Sequence, residues 1–196
     1  MSTPKLALAA ALVASTLVVA CTTPMHMAQV PTERYGIGRA ATAEEIRGWD
    51  IDVRADGMGL PPGSGTVAAG AQVYEAKCAA CHGAKGVGNP GPRLTGGIGS
   101  LTSNRPVMTV NSFWPHATII YDYVNRSMPW DKPLSLTPNE VYAVTAYLLN
   151  VDGIVPANAV LDAKTLPQVR MPNRDGFVPA AGASDARVPR CMVDCR

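Results

Sequence analysis

The chain has 196 residues, 47% of them hydrophobic, and carries 17 Lys and Arg against 15 Asp and Glu. That length suits one compact domain with extensions. A charge this close to balance argues against nucleic acid as a partner and against a strongly basic docking face.

Taken in chain order, residues 1–21 read as an export leader. Lys5 supplies a positive start and Leu6 to Ala20 an apolar run. The run is too short to span a membrane. It ends at Val18-Val19-Ala20-Cys21, which resembles a bacterial lipoprotein processing site. On that reading Cys21 becomes a lipidated first residue and tethers the protein to a membrane. The alternative is an ordinary cleavable signal with an incidental Cys nearby. Both readings put the protein outside the cytoplasm, in the periplasm.

Residues 22–65 are expected to form a tether and an N-terminal extension. Thr42-Ala43-Glu44-Glu45 is a capping-box pattern that opens a short helix ending near Gly48. From Trp49 to Gly65 the chain turns irregular, broken by Pro61-Pro62-Gly63-Ser64-Gly65. Asp50, Asp52, Arg54 and Asp56 alternate there, but a calcium loop's terminal Glu is missing, so the stretch reads as a solvated connector.

A domain is expected over residues 66–152. Ala68 to Ala80 reads as a helix, with Val73, Lys77 and Cys81 on one face and Gly70 and Tyr74 on a neighbouring one. A glycine at position 70 permits another helix to come close. The helix leads into Cys78-Ala79-Ala80-Cys81-His82. C-x-x-C-H is the attachment pattern of a c-type haem. Two thiols three positions apart add across the two vinyl groups of one porphyrin, and the next residue supplies an imidazole to the iron. The rival readings are a redox thiol pair or half a zinc site. The adjacent His and the lack of a second ligand cluster weigh against both.

Gly83 to Gly99 is Gly- and Pro-rich and must be loop. Within it, Gly91-Pro92-Arg93-Leu94 has two readings. The Pro92 carbonyl can fix the second ring nitrogen of His82, with Leu94 packed on the porphyrin; or the run is only a surface turn. Pro115 fits the first turn of a second helix running to about Ser127. Met128-Pro129 follows. Thr137-Pro138-Asn139-Glu140 then combines an N-cap, Pro at the first helical position and Glu at the third. Val141, Val144, Thr145 and Leu148 follow at helical spacing, and Gly153 lies past the end.

The sixth iron ligand is assigned to Met128, because it lies between one helix and the capped final one. A thioether favours ferrous over ferric iron and so raises the reduction potential. His116 is the rival for bis-His ligation, its bland reading being a polar helix-start residue. Met171 is followed by Pro but falls after the final helix and reads as an apolar contact. Met58 and Met108 lack a matching context. Trp114 and Trp130 suit haem propionates through their indole N–H groups, or the core equally well.

Residues 153–196 show no strong period, and Pro156, Pro167, Pro172, Pro179 and Pro189 break every candidate helix. They read as an irregular arm lying over the domain or over a partner. Cys191 and Cys195 lack a following His and suit a disulfide in an oxidising compartment. A sulfur-carrying or metal-binding role for them is the alternative.

The order of helix, C-x-x-C-H, Gly-Pro-Arg-Leu, Met-Pro and a capped helix ending Ala146-Tyr147-Leu148-Leu149 resembles class I cytochrome c over about residues 66–152. The resemblance implies an all-α, cytochrome c-like helical haem domain, here with long irregular N- and C-terminal extensions. It implies one covalent haem c and a crossing of the first and last helices near Gly70 and Tyr147. Cys78, Cys81, His82, Pro92 and Met128 carry over. Gly36 to Thr42, Trp49 to Val53, Leu60 to Gly65, Ser127-Met128-Pro129 and Val169 to Phe177 further resemble the haem subunit of the Sox sulfur dehydrogenase, SoxD. That family implies a periplasmic carrier of single electrons. It accepts them from a molybdenum-cofactor dehydrogenase subunit and delivers them to a downstream cytochrome or oxidase. Its best-known members carry a second haem domain, and this sequence matches only the first.

A non-catalytic electron carrier, or the electron-transfer subunit of an oxidoreductase complex, is therefore expected. A haem enzyme or gas sensor needs an open iron position, and no distal acid–base pair is visible. A docking subunit, in which the extension and arm matter more than the haem, is the third reading.

Overall fold

The computed structural model describes residues 37–178. The leader, the tether, Cys21, Cys191 and Cys195 lie outside the described residues. Of the first unit, residues 37–42 are described and are exposed, without helix or strand. The second unit begins at Ala43. Its elements are α1 (Ala43–Trp49), β1 (Ser64–Thr66), α2 (Val67–Lys77), α3 (Ala79–His82), α4 (Ala117–Ser127), α5 (Pro138–Val151) and β2 (Val160–Asp162). Single 3-10 turns lie at Ala84–Gly86, Ser100–Thr102 and Leu166–Gln168.

Helix α1 forms where its capping-box pattern indicates, with Glu44 and Glu45 in the first turn and Arg47 in the last, matching the helix dipole. Thr66 caps α2 by accepting the Ala69 N–H at 3.1 Å. The expected helix over Ala68 to Ala80 is interrupted at Cys78, whose φ of −127° leaves the helical region. The Cys78 carbonyl then takes the N–H groups of Cys81 (3.1 Å) and His82 (2.9 Å), which opens the single turn of α3. Pro115 does not sit in the first turn of α4. His116 is the N-cap, held extended by an isolated antiparallel bridge to Arg170, and the helix starts at Ala117. Helix α5 carries its capping box as expected: Glu140 N–H meets Thr137 Oγ1, and Thr137 N–H meets Glu140 Oε2 at 2.9 Å.

Helices α2 and α5 cross in close contact. A Cβ built at Gly70 would overlap the Ala143 carbonyl and lie 2.8 Å from Tyr147 Cβ; one at Gly65 would overlap the Ala143 backbone. Tyr74 and Tyr147 seal the crossing, with ring centroids 5.1 Å apart. Val141, Val144 and Leu148 enter the core on the inner face of α5, beside Ile120 and Tyr121 of α4.

Two stretches are more ordered than the sequence suggests. The connector after α1 is anchored, because Val53 N–H donates to Asp122 Oδ1 at 3.0 Å and Asp52 pairs with Arg126 at 3.1 Å. Of its charges, Asp52 has a partner on α4, while Arg54 and Asp56 pair with each other in solvent. The arm after α5 completes the core instead of merely lying over it. Strand β2 pairs antiparallel with β1, Leu161 opposite Gly65, and Leu161, Leu166 and Met171 are buried. Met171 is the apolar contact expected of it.

Leu161→Ala should therefore cost about 2–5 kcal/mol, read as a lower urea midpoint; an unchanged midpoint would mean the arm is dispensable. A second prediction concerns acid. The Lys77 ammonium, 2.6 Å from Glu140 Oε1, and the Thr137 amide hold the Glu140 carboxyl below its usual range. A carboxylate depressed in the folded state stabilises above its unfolded value of about 4.3. It loses that contribution as pH falls through the folded value. Glu140→Gln should lower stability at pH 7 by no more than about 1 kcal/mol, and the gap to the parent should narrow below pH of about 4.3. A gap constant with pH would contradict this.

Candidate haem site

A cavity of about 760 Å³ lies between α2, α3, α4 and the loops. This is within the roughly 300–1,000 Å³ of cofactor pockets. Cys78, Cys81, His82, Pro92, Leu94 and Met128 all line it, so the structure brings every residue of the expected site to one space. The remaining walls are largely apolar, including Ile120, Val124, Val144 and Leu148.

The break at Cys78 is what gathers the first three. Cys78 ends α2 half-buried, and one turn of α3 carries exposed Cys81 and buried His82. Burial pushes the Cys78 thiol up to about 11, the direction of a thiol packed in apolar surroundings rather than an activated thiolate. Below it, the Tyr74 hydroxyl donates to the Gly83 carbonyl at 2.8 Å and fixes the exit from α3. Burial raises that phenol to about 12, so it keeps its proton to donate.

The 83–94 loop folds back under His82. Gly88 N–H donates to the His82 carbonyl (2.7 Å) and Gly91 N–H to the Cys81 carbonyl (2.6 Å). This brings the Pro92 carbonyl 2.8 Å from His82 Nδ1. A carbonyl can only accept, so Nδ1 carries the proton and Nε2 keeps its lone pair for a metal. Gly91 makes this approach possible: a Cβ there would lie 2.9 Å from the Cys81 carbonyl oxygen and 3.2 Å from Nδ1. Leu94 is tied to the same loop through its N–H to Gly86 O at 2.8 Å.

Met128 is the C-cap of α4, its N–H donating to Val124 O at 3.1 Å, and is half-buried. Ile120, Val124 and Met128 follow at four-residue steps and all line the cavity. Met108 also lines the cavity but is 63% exposed. His116 does not line it; its Nδ1 is buried without a partner, and burial, with Arg174 nearby, lowers its pKa. Trp114 and Trp130 both line the cavity, Trp114 against Tyr123 with centroids 5.6 Å apart and Trp130 at 83% exposure. Sequence reasoning placed Tyr74 on a helix face and Gly91 in a turn but missed their roles here, which depend on a loop path no local pattern announces.

These residues fit a c-type haem. Two thiols of one turn, an imidazole with a fixed tautomer, a thioether and an apolar cavity of the right size meet at one place. No group of three or more metal-ligating His, Cys, Asp or Glu occurs among the described residues.

Residues 67–152 match the cytochrome c family. A chain of the crystal structure of the sulfane dehydrogenase SoxCD from Paracoccus pantotrophus superposes with a TM-score of 0.73 at 43% identity, covering 83% of each chain. Among curated proteins, none matches. The chain belongs to the cytochrome c family of electron carriers, related to the cytochrome subunit of SoxCD.

Proposed function

We propose that the chain is a periplasmic monohaem cytochrome. On this reading it accepts single electrons from a molybdenum-cofactor sulfur- or sulfite-oxidising dehydrogenase and passes them to a downstream cytochrome or oxidase. The observation that carries the reading is the one cavity lined by Cys78, Cys81, His82 and Met128. A haem bound there supplies a single reversible electron at its iron. Cys78 and Cys81 would hold it by thioethers, and His82 and Met128 would ligate its iron. The Pro92 carbonyl orients His82 and makes its Nε2 a better donor. With His82 and Met128 both given to the iron, substrate would have no route to the metal, which favours a carrier over a haem enzyme or sensor.

The 43% identity to the SoxCD chain supports the partner. Export through residues 1–21, with or without a lipid on Cys21, is part of the same proposal. It is supported by the leader pattern and by the C-x-x-C-H run, whose haem is attached on the exported side in bacteria. No helix among the described residues is long and apolar enough to cross a membrane.

Purified mature protein should retain its pigment through acid-acetone extraction, and Cys78→Ala with Cys81→Ala should release it. Met128→Ala should abolish the weak near-infrared sulfur-to-iron band of the ferric form. It should also lower the potential by a sizeable part of the roughly 0.8 V range that axial ligands span. An unchanged spectrum would refute the ligand assignment. Rapid reduction by a purified molybdenum sulfur dehydrogenase tests the donor, and no reduction at equimolar protein would refute it.

A further inference from the structure

Helix α4 has two faces with different neighbours. Ile120, Val124 and Met128 face the cavity. Thr118, Asp122 and Arg126 stand at the same four-residue steps, offset by two positions and so by about 200° round the helix. Each of these three is bonded to the segment 52–55. Thr118 Oγ1 donates to the Ala55 carbonyl at 3.4 Å, Asp122 Oδ1 accepts the Val53 N–H at 3.0 Å, and Arg126 Nη1 donates to Asp52 Oδ1 at 3.1 Å. Asp122 and Arg126 are also paired with each other. Asp122 is buried, so its charge depends on these partners and breaking the set is costly.

Met128 has little support from the other side. Its own N–H closes the last turn on Val124. Residues 130–135 are exposed, and the next buried side chain is Leu136. Where α4 ends, and which way its last turn faces, is therefore set from behind.

We infer that the segment 52–55 is a splint that holds the last turns of α4, through Asp122 and Arg126, so that Met128 stays on the iron. Asp122 and Arg126 are then positioning residues for the sixth ligand. This rests on the reading of Met128 as that ligand. The splint lies outside residues 67–152, the stretch matched by the cytochrome c family.

The test uses the full-length, haem-loaded ferric protein with imidazole as the competing ligand. Arg126→Gln removes the exposed arm of the network, and Asp122→Asn keeps an acceptor for Val53 while removing the charge. Each should bind imidazole at least tenfold more tightly than the parent and lose the near-infrared band at a lower temperature than the fold melts. Leu161→Val, which thins the core away from α4, should bind imidazole within twofold of the parent. Parental affinity and an intact band in both α4 variants would overturn the inference. So would an equal gain of affinity in Leu161→Val, because the loosening would then be global. A parent protein with no near-infrared band would overturn the reading of Met128 itself, and the splint with it.

Discussion

The close crossing of α2 and α5 is the constraint on which the rest of the structure depends. Gly65 and Gly70 offer no side chain to Ala143, so the two backbones meet where any Cβ would collide. Helix α2 delivers Cys78, and α5 supplies Val144 and Leu148 to the cavity wall. Their separation therefore sets how much space is left for a prosthetic group. Close packing makes such a contact unforgiving, because a well-filled interior relaxes only partly around an added methyl.

Around that crossing, the two residues proposed as iron ligands are held by different means. His82 is fixed by a hydrogen bond from its own ring to the Pro92 carbonyl, within a loop that folds back on the turn bearing the two thiols. Met128 has no comparable bond of its own and depends on where α4 stops. The imidazole is thus secured locally and the thioether from a distance. Such an arrangement makes the thioether side the one most sensitive to changes elsewhere in the chain.

The chemistry was more legible than the architecture that supports it. Cys78, Cys81 and His82 are contiguous, so their pattern survives in one dimension. The capping box at Thr137 is similarly local and gave α5 its start. The break at Cys78 was not legible, because Ala79 and Ala80 are good helix formers and no breaker residue marks the position where α2 stops. Strands β1 and β2 are three residues each, too short for a period of two to declare itself, and their pairing joins positions about a hundred residues apart. The anchoring of the connector was not legible because Asp122 and Arg126, the partners of the Val53 amide and of Asp52, lie about seventy residues further along the chain. The strand pairing and the anchored connector share one origin: the information sits in a long-range contact that local spacing does not encode.

The central claim is that one iron is closed from both sides by protein side chains and can only exchange electrons. The electron paramagnetic resonance spectrum of the ferric protein at neutral pH tests it most directly. A wholly low-spin signal is the result this account predicts; a dominant high-spin signal, the mark of a vacant or water-held axial position, would contradict it.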